Sequence, residues 1–334
     1  LGARAGELRV EAVSVGTSRL PGLVGWLRLD EGVMHVLTRW CPVEPVNMDV
    51  SGIVALWGDS PEEFVQVDLP RVRLDRPDTF SRLVPMLGRL EVTGLVSGGA
   101  RADLLRGTSR AWFKAEGLDV SSADYEASAK GIDAQVLLED LERLRTPSRQ
   151  KISVASARLG RLEVEKGEVS LRLDSPRELF VEQVGFGWSG GRLYAHNVML
   201  DPEDPEIDCV VYADGLDLRQ LLQILTPDDA RGEGRLYGRL PVRVRWPQLD
   251  FGTGFLYAEP GRGVLQLGGA TSIVGELMEK SDPRFVRDDQ MREVKRRTLA
   301  ALGDFEYSAL RVNFVKRQGR LDAMGFVEGK GRQG

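Results

Sequence analysis

Histidine and cysteine are nearly missing from this 334-residue chain, which has two of each. His35 and His196 have no ligand spacing with each other or with a cysteine pair, so no zinc site is expected. The same scarcity leaves no acid–base constellation, and no enzyme is expected. Cys41 and Cys209 cannot make a disulfide framework; they read as two small core residues, with one long-range disulfide as the alternative. No apolar run approaches the ~20 residues of a membrane span. The chain starts at Leu1 with no visible signal peptide, so either it is a fragment or an anchor lies outside it. An excess of positive charge is also missing. The net charge is -5, and the basic residues are scattered along strand-like segments, so no nucleic-acid partner is expected. Gly232-Glu-Gly234 and Gly261-Arg-Gly263 lead into strands instead of helix N-termini, so neither is a phosphate loop. No cofactor and no metal are expected.

What the chain has is alternation and turns. Hydrophobic residues make up 42% and charged residues 28%, an ordinary balance for a folded domain. Glycine is abundant at 38 residues, mostly where a strand would turn. Period-two patterns run through Leu8–Val15, Leu23–Leu29, Val33–Leu37, Ile53–Trp57, Phe64–Leu74, Leu90–Val96 and Ala111–Val120. The most ordered stretch is Arg231–Leu267, a strand–turn–strand–turn–strand pattern. Gly-Arg-Leu recurs at Gly88, Gly160, Gly191, Gly234, Gly238 and Gly319, each time opening a strand, which suggests a stacked sheet of irregular period. Helical spacing is expected over Ala134–Leu144, Leu218–Leu225, Ser272–Lys280 and Phe285–Leu302. Asp133 and Asp217 are the expected N-caps of the first two. Phe80–Leu87 could add a helical turn or two. Asp304–Lys316 and Arg320–Glu328 read as a closing hairpin.

Three stretches imitate chemistry. Gly187-Trp188-Ser189-Gly190-Gly191 fits a nucleophile elbow, but that motif needs a helix after the serine; a strand follows, so a glycine turn is expected. Asp201–Asp208 gathers acids that could meet a calcium ion; two prolines make a solvated loop the better reading. The basic helix Arg284–Arg297 could touch anionic headgroups, but it also holds Asp288, Asp289 and Glu293, a mixed solvated face.

The remaining feature is a set of apolar stripes: Val169, Leu171 and Leu173; Val184, Phe186 and Trp188; Val242, Val244 and Trp246; Leu310, Val312 and Phe314. Each alternates with polar residues. Two readings stay open: a sheet packed on a second layer, or a curled sheet whose concave face is open. Three short helices are few for so many strands.

A resemblance bears on that choice. Gly-x-Gly-Arg-Leu-x-Gly-Arg-Leu-Pro-Val at Gly232–Val242, followed by Glu259-Pro260-Gly261, resembles the C-terminal region of the YdbH-type proteins. Trp188-Ser189-Gly190-Gly191, Leu200-Asp201-Pro202 and Gly215-Leu216-Asp217-Leu218 resemble the preceding pattern, and Leu299–Gly329 the closing one. The likeness covers Gly160–Gly329. These proteins belong to an AsmA-like group whose domain carries the older name dicarboxylate transport. The resemblance implies intermembrane phospholipid transport in the periplasm, with an N-terminal inner-membrane anchor that this chain lacks. It also implies a small outer-membrane lipoprotein adding a strand at Arg320–Glu328.

The expected fold is therefore mainly β: an elongated, curled antiparallel sheet of AsmA-like groove form with a few short helices. The expected division is an N-terminal β-rich segment, 1–159, and a C-terminal groove region, 160–334. The twelve stripe residues are the candidate groove lining, and phospholipid is the expected cargo. A β-rich periplasmic scaffold without lipid is the alternative.

Overall fold

The computed structural model describes residues 4–15, 18–57, 60–76, 78–79, 82, 90–124, 126–160, 162–202, 204, 206–225, 231–245, 248–261, 263–266, 289–317 and 320–331. Every strand pairing among them with a resolved register is antiparallel, as short turns require. The expected helical or turn segments at Phe80–Leu87, Arg82 apart, and at Ser272–Lys280, and the candidate Trp246, lie outside the described residues. The chain divides into two compact units: Leu1–Val184 with Asn197–Pro205, and Gly185–His196 with Glu206–Gly334.

The first unit is a meander. Strands β1 (Arg4–Val15), β2 (Ser18–Asp30), β3 (Val33–Val43), β4 (Val46–Ala55) and β5 (Phe64–Leu74) follow one another side by side. So do β6 (Glu91–Asp103), β7 (Thr108–Ser122), β8 (Ala127–Leu138), β9 (Gln150–Leu159) and β10 (Leu162–Ser175). Ten strands at a spacing of about 4.8 Å make a sheet about 43 Å wide.

Here the structure corrects one expectation. Ala127–Leu138 is a strand, so Ala134–Leu144 is not a helix and Asp133 is not a cap. Asp133 instead accepts a hydrogen bond from the Gly117 backbone N–H at 2.9 Å. Val136, Leu137, Leu141 and Leu144 imitate a helical stripe, but Val136 and Leu137 lie on opposite faces of β8. Leu141 and Leu144 are exposed in the turn that follows.

The second unit is built from β13 (Glu206–Asp217), β14 (Arg231–Glu233), β15 (Arg235–Arg245), β16 (Gln248–Phe251), β17 (Gly254–Ala258), β18 (Gly263–Gln266), β19 (Phe305–Arg317) and β20 (Arg320–Gly331). Parts of β11 (Glu178–Trp188) and β12 (Gly191–Leu200) join it. The described helices are α1 (Leu218–Leu225) and α2 (Asp289–Gly303). Asp217 caps α1 as expected: its Oδ1 accepts from the Arg219 N–H at 2.8 Å and the Gln220 N–H at 3.3 Å. In α2, Glu293 accepts hydrogen bonds from Arg296 and Arg297, which hold its carboxyl down at about 2. That self-pairing fits the mixed, solvated reading of this helix.

The glycines of Gly232-Glu-Gly234 make room. A Cβ at Gly232 would press on Leu218 and Leu222 of α1, and one at Gly234 would overlap the Tyr307 hydroxyl. Gly263 faces the same ring. Tyr307 thus sits in a glycine notch, 2% exposed, and donates its hydroxyl to the Glu233 carbonyl at 2.7 Å. Burial, then the nearby Glu233 charge, raises its pKa.

Candidate functional site

Directly paired residues of antiparallel strands share a face, so the registers trace each face across the sheet. In the first unit one row reads Val72–Val96–Ala115–Ala134–Ile152–Val169, six strands without a polar residue. A second row on the same face reads Gly25–Thr38–Val50–Val67–Ala100–Ala111–Leu138. The opposite face carries rows such as Trp26–Leu37–Ser51–Gln66–Arg101–Arg110. Ion pairs lie on that side, including Arg39–Asp49 at 3.0 Å.

Thr38 and Gln150 interrupt the apolar face and are tied back into the backbone, whereas Ser122, buried near the β7–β8 turn, has no partner for its hydroxyl among the described residues. The Thr38 hydroxyl donates to the Val24 carbonyl at 2.6 Å. Gln150, opposite Leu171, accepts from the Leu137 N–H at 2.8 Å and donates to the Pro147 carbonyl at 3.2 Å. The polar atoms of Thr38 and Gln150 are met by the backbone, so these two positions are apolar in effect.

Among the described residues no second sheet or helix layer packs over this face, because the substantial element contacts of the first unit join neighbouring strands. The face is nevertheless shielded: Val136, Ile152, Val154 and Val169 are half-buried, while Leu137, Lys151 and Ser153 beside them are exposed. With no covering layer among the described residues, such asymmetry is what a sheet curled toward its apolar side gives. Val46, Leu74, Val92, Val96, Ala115 and Leu118 form a dry cluster along one rim. Thr79, in the β5–β6 connection at that rim, is fully buried. Exposure on the same face rises to 36% at Phe113 and 40% at Val65 toward the other rim.

The second unit has the same division within its own sheet. Ile207, Cys209 and Val211 of β13 pair with Val244, Val242 and Leu240 of β15. Leu256 pairs with Val312 and Gly254 with Phe314. At one end of this face Leu216, Leu236, Ala258, Leu265, Tyr307 and Leu310 are buried with Leu218 and Leu221 of α1. Beyond the helix the face continues half-buried through Val211, Leu240, Val242, Val244, Val312 and Phe314. The other face holds Arg243 against Asp208, Arg245 against Glu206, and Arg239 and Arg311 over the Phe255 ring at 5.7 and 5.1 Å.

The candidate residues are therefore distributed as follows. Val169, Leu171 and Leu173 are half-buried on β10 in the first unit. Val242, Val244, Leu310, Val312 and Phe314 share one face of the second, with Leu310 inside its dry end. Trp188 packs against that same buried cluster. Val184 and Phe186 are half-buried on β11. The sequence reading missed the row from Val72 to Ile152, hidden where a helix was expected at Ala134. The alternation Ala134, Val136, Leu138 was its signal.

Elements that imitated chemistry resolve as structure. Ser189 sits at φ 44° in the turn joining β11 to β12, with a strand after it. His35 and His196 are exposed. Cys41 is exposed, not a core residue, while Cys209 is half-buried; both are free. Burial, then the neighbouring Asp208 carboxylate, pushes the Cys209 thiol up, as an apolar wall would. Among the described residues no cluster of His, Cys, Asp and Glu could hold a metal ion, and no helix is long and apolar enough to cross a membrane.

An open antiparallel sheet with one apolar face, uncovered among the described residues, and a charged back defines a β-groove protein. The sequence matches the YdbH-like family, described as intermembrane phospholipid transport protein YdbH, over residues 69–315. The chain belongs to that family, which is a lipid-transport family and not an enzyme family. The match takes in all twelve candidate residues and begins well before Gly160, where the motif likeness started. No curated protein and no solved structure matches the chain.

Proposed function

We propose that this chain is a segment of a lipid-transfer bridge, carrying phospholipid between the inner and outer membranes of a diderm envelope with its acyl chains against the apolar face. The observation that carries the reading is the six-strand row from Val72 to Val169, on a face that no other layer covers among the described residues. Each CH₂ withdrawn from water is stabilised by about 0.8 kcal/mol. A lipid that shifts by one strand, about 4.8 Å, leaves one set of aliphatic contacts for an equivalent set. Its free energy along the row is therefore nearly level, and movement needs no covalent step. The work is done in the periplasm, with the chain held to the inner membrane by a segment beyond it. Val169, Leu171, Leu173 and Val184 line the apolar face of the first unit, and Phe186, Val242, Val244, Val312 and Phe314 that of the second, with Leu310 and Trp188 at its dry end.

The C-terminal strand offers the place for a partner. Among the described residues β20 pairs only with β19. A small outer-membrane lipoprotein would add a strand along Arg320–Glu328 by backbone hydrogen bonding.

Native mass spectrometry of the purified chain, followed by lipid extraction, tests the cargo. One or more phospholipids per chain is the expected result. A folded, lipid-free chain that also fails to take up an acyl-labelled phospholipid would make it a dry scaffold.

A further inference from the structure

The two rims of the first unit's apolar face are unlike, and the open one carries a repeated turn. The β6–β7 turn reads Asp103-Leu104-Leu105-Arg106, and the β8–β9 turn opens Asp140-Leu141-Glu142-Arg143. Both have the same construction. Asp103 Oδ1 accepts the Arg106 N–H at 2.9 Å, and Asp140 Oδ1 accepts those of Glu142 and Arg143 at 3.0 Å. Each aspartate is thus engaged by its own backbone. Each arginine touches it only at long range, 3.9 Å for Arg106 and 3.8 Å for Arg143, and stays 81% and 80% exposed. Beside them Leu104, Leu105, Leu141 and Leu144 are exposed as well. The β10–β11 turn shares only the Asp-x-x-Arg spacing, at Asp174–Arg177: Asp174 accepts from the Arg172 guanidinium at 3.1 Å, and Arg177 pairs with Asp201 at 3.4 Å.

Alternate turns of a meander fall on one side, so these stand two strand spacings apart, about 10 Å. The backbone ties them together: Leu141 N–H donates to the Ser109 carbonyl at 3.3 Å, and Thr146 N–H to the Leu173 carbonyl at 2.9 Å. The result is an ordered rim with leucines at the edge of the apolar face and arginines reaching into water. The opposite rim is the dry cluster of Val46, Leu74, Val92 and Leu118, where an unpaired phosphate could not be buried.

We propose that the open rim is a headgroup track: Arg106 and Arg143 pair with the phosphate of a lipid in the groove, the rim leucines meet its glycerol-proximal chain, and its tails end at the closed rim. A guanidinium presents two parallel N–H groups to phosphate oxygens. Glu139 and Glu142 flank Arg143 and are exposed, so the rim fits a zwitterionic headgroup carrying an ammonium better than a purely anionic one. This assignment rests on the acyl chains occupying the groove.

The test is titration of the full chain with two fluorescent lipids of identical labelled acyl chains in the same non-ionic micelles, a phosphatidylethanolamine and a diacylglycerol. The wild-type chain should prefer the phospholipid by about tenfold, about threefold from each exposed arginine. The double variant R106Q/R143Q should lose that preference while binding diacylglycerol as before, and R106K/R143K should keep part of it. A preference unchanged in R106Q/R143Q, or equal binding of both lipids by the wild type, overturns the headgroup track and leaves the groove standing. Uptake of neither lipid by the wild type overturns both.

Discussion

Replacing Ile152 with aspartate lowers the phospholipid that copurifies with the chain by at least about tenfold, because a carboxylate against aliphatic chains must give up its hydration. Ile152 stands between Ala134 and Val169 in the six-strand row and is half-buried. A charge there interrupts the row for any lipid that crosses it. The matched controls are its neighbours: Lys151→Asp and Ser153→Asp place the same charge on the exposed opposite face of β9 and should leave lipid content unchanged. Equal far-ultraviolet circular dichroism of the three variants separates loss of cargo from loss of fold. Equal lipid loss in all three would mean that the lipid is not held by one face.

The second large effect is on stability. Tyr307→Ala should cost about 3–5 kcal/mol, the range for deleting a buried aromatic ring, and lower the melting temperature by about 10 °C. The ring is 2% exposed and fills the notch left by Gly234 and Gly263, next to Leu236, Ala258 and Leu265. Tyr307→Phe separates packing from hydrogen bonding. It keeps the ring but leaves the Glu233 carbonyl without its donor, and should cost about 1–3 kcal/mol. Thermal melts of both variants check the order; a phenylalanine variant as unstable as the alanine one would show that the notch holds the hydroxyl and not the ring.

Much of this architecture is legible in the sequence because a strand's pattern is local. Val242 and Val244 alternate with Arg243 and Arg245, and the structure puts the valines opposite Cys209 and Ile207 and the arginines beside Asp208 and Glu206. Asp217 announces α1 because its side chain caps the two residues that follow it closely. What the sequence hides is non-local. Ala134 is a weak hydrophobe in a segment with good helix formers. Its place in an apolar row depends on Ala115 and Ile152, which lie on other strands and become neighbours only through the register. The glycines of Gly232-Glu-Gly234 read as turn markers, yet what they accommodate is Tyr307, more than seventy residues further along. The two unlike rims are hidden for the same reason: Asp103-x-x-Arg106 and Asp140-x-x-Arg143 are ordinary turns until the meander sets them on one side.

The most direct test of the central claim is photocrosslinking of the full chain with a phospholipid carrying a diazirine along its acyl chain, with the labelled residues located by peptide mass spectrometry. The groove predicts labels on the apolar face, at Val136, Ile152, Val169, Val242 and Phe314, and none on Leu137, Lys151 or Arg243 of the opposite face. Labels spread equally over both faces, or confined to the opposite one, would contradict it.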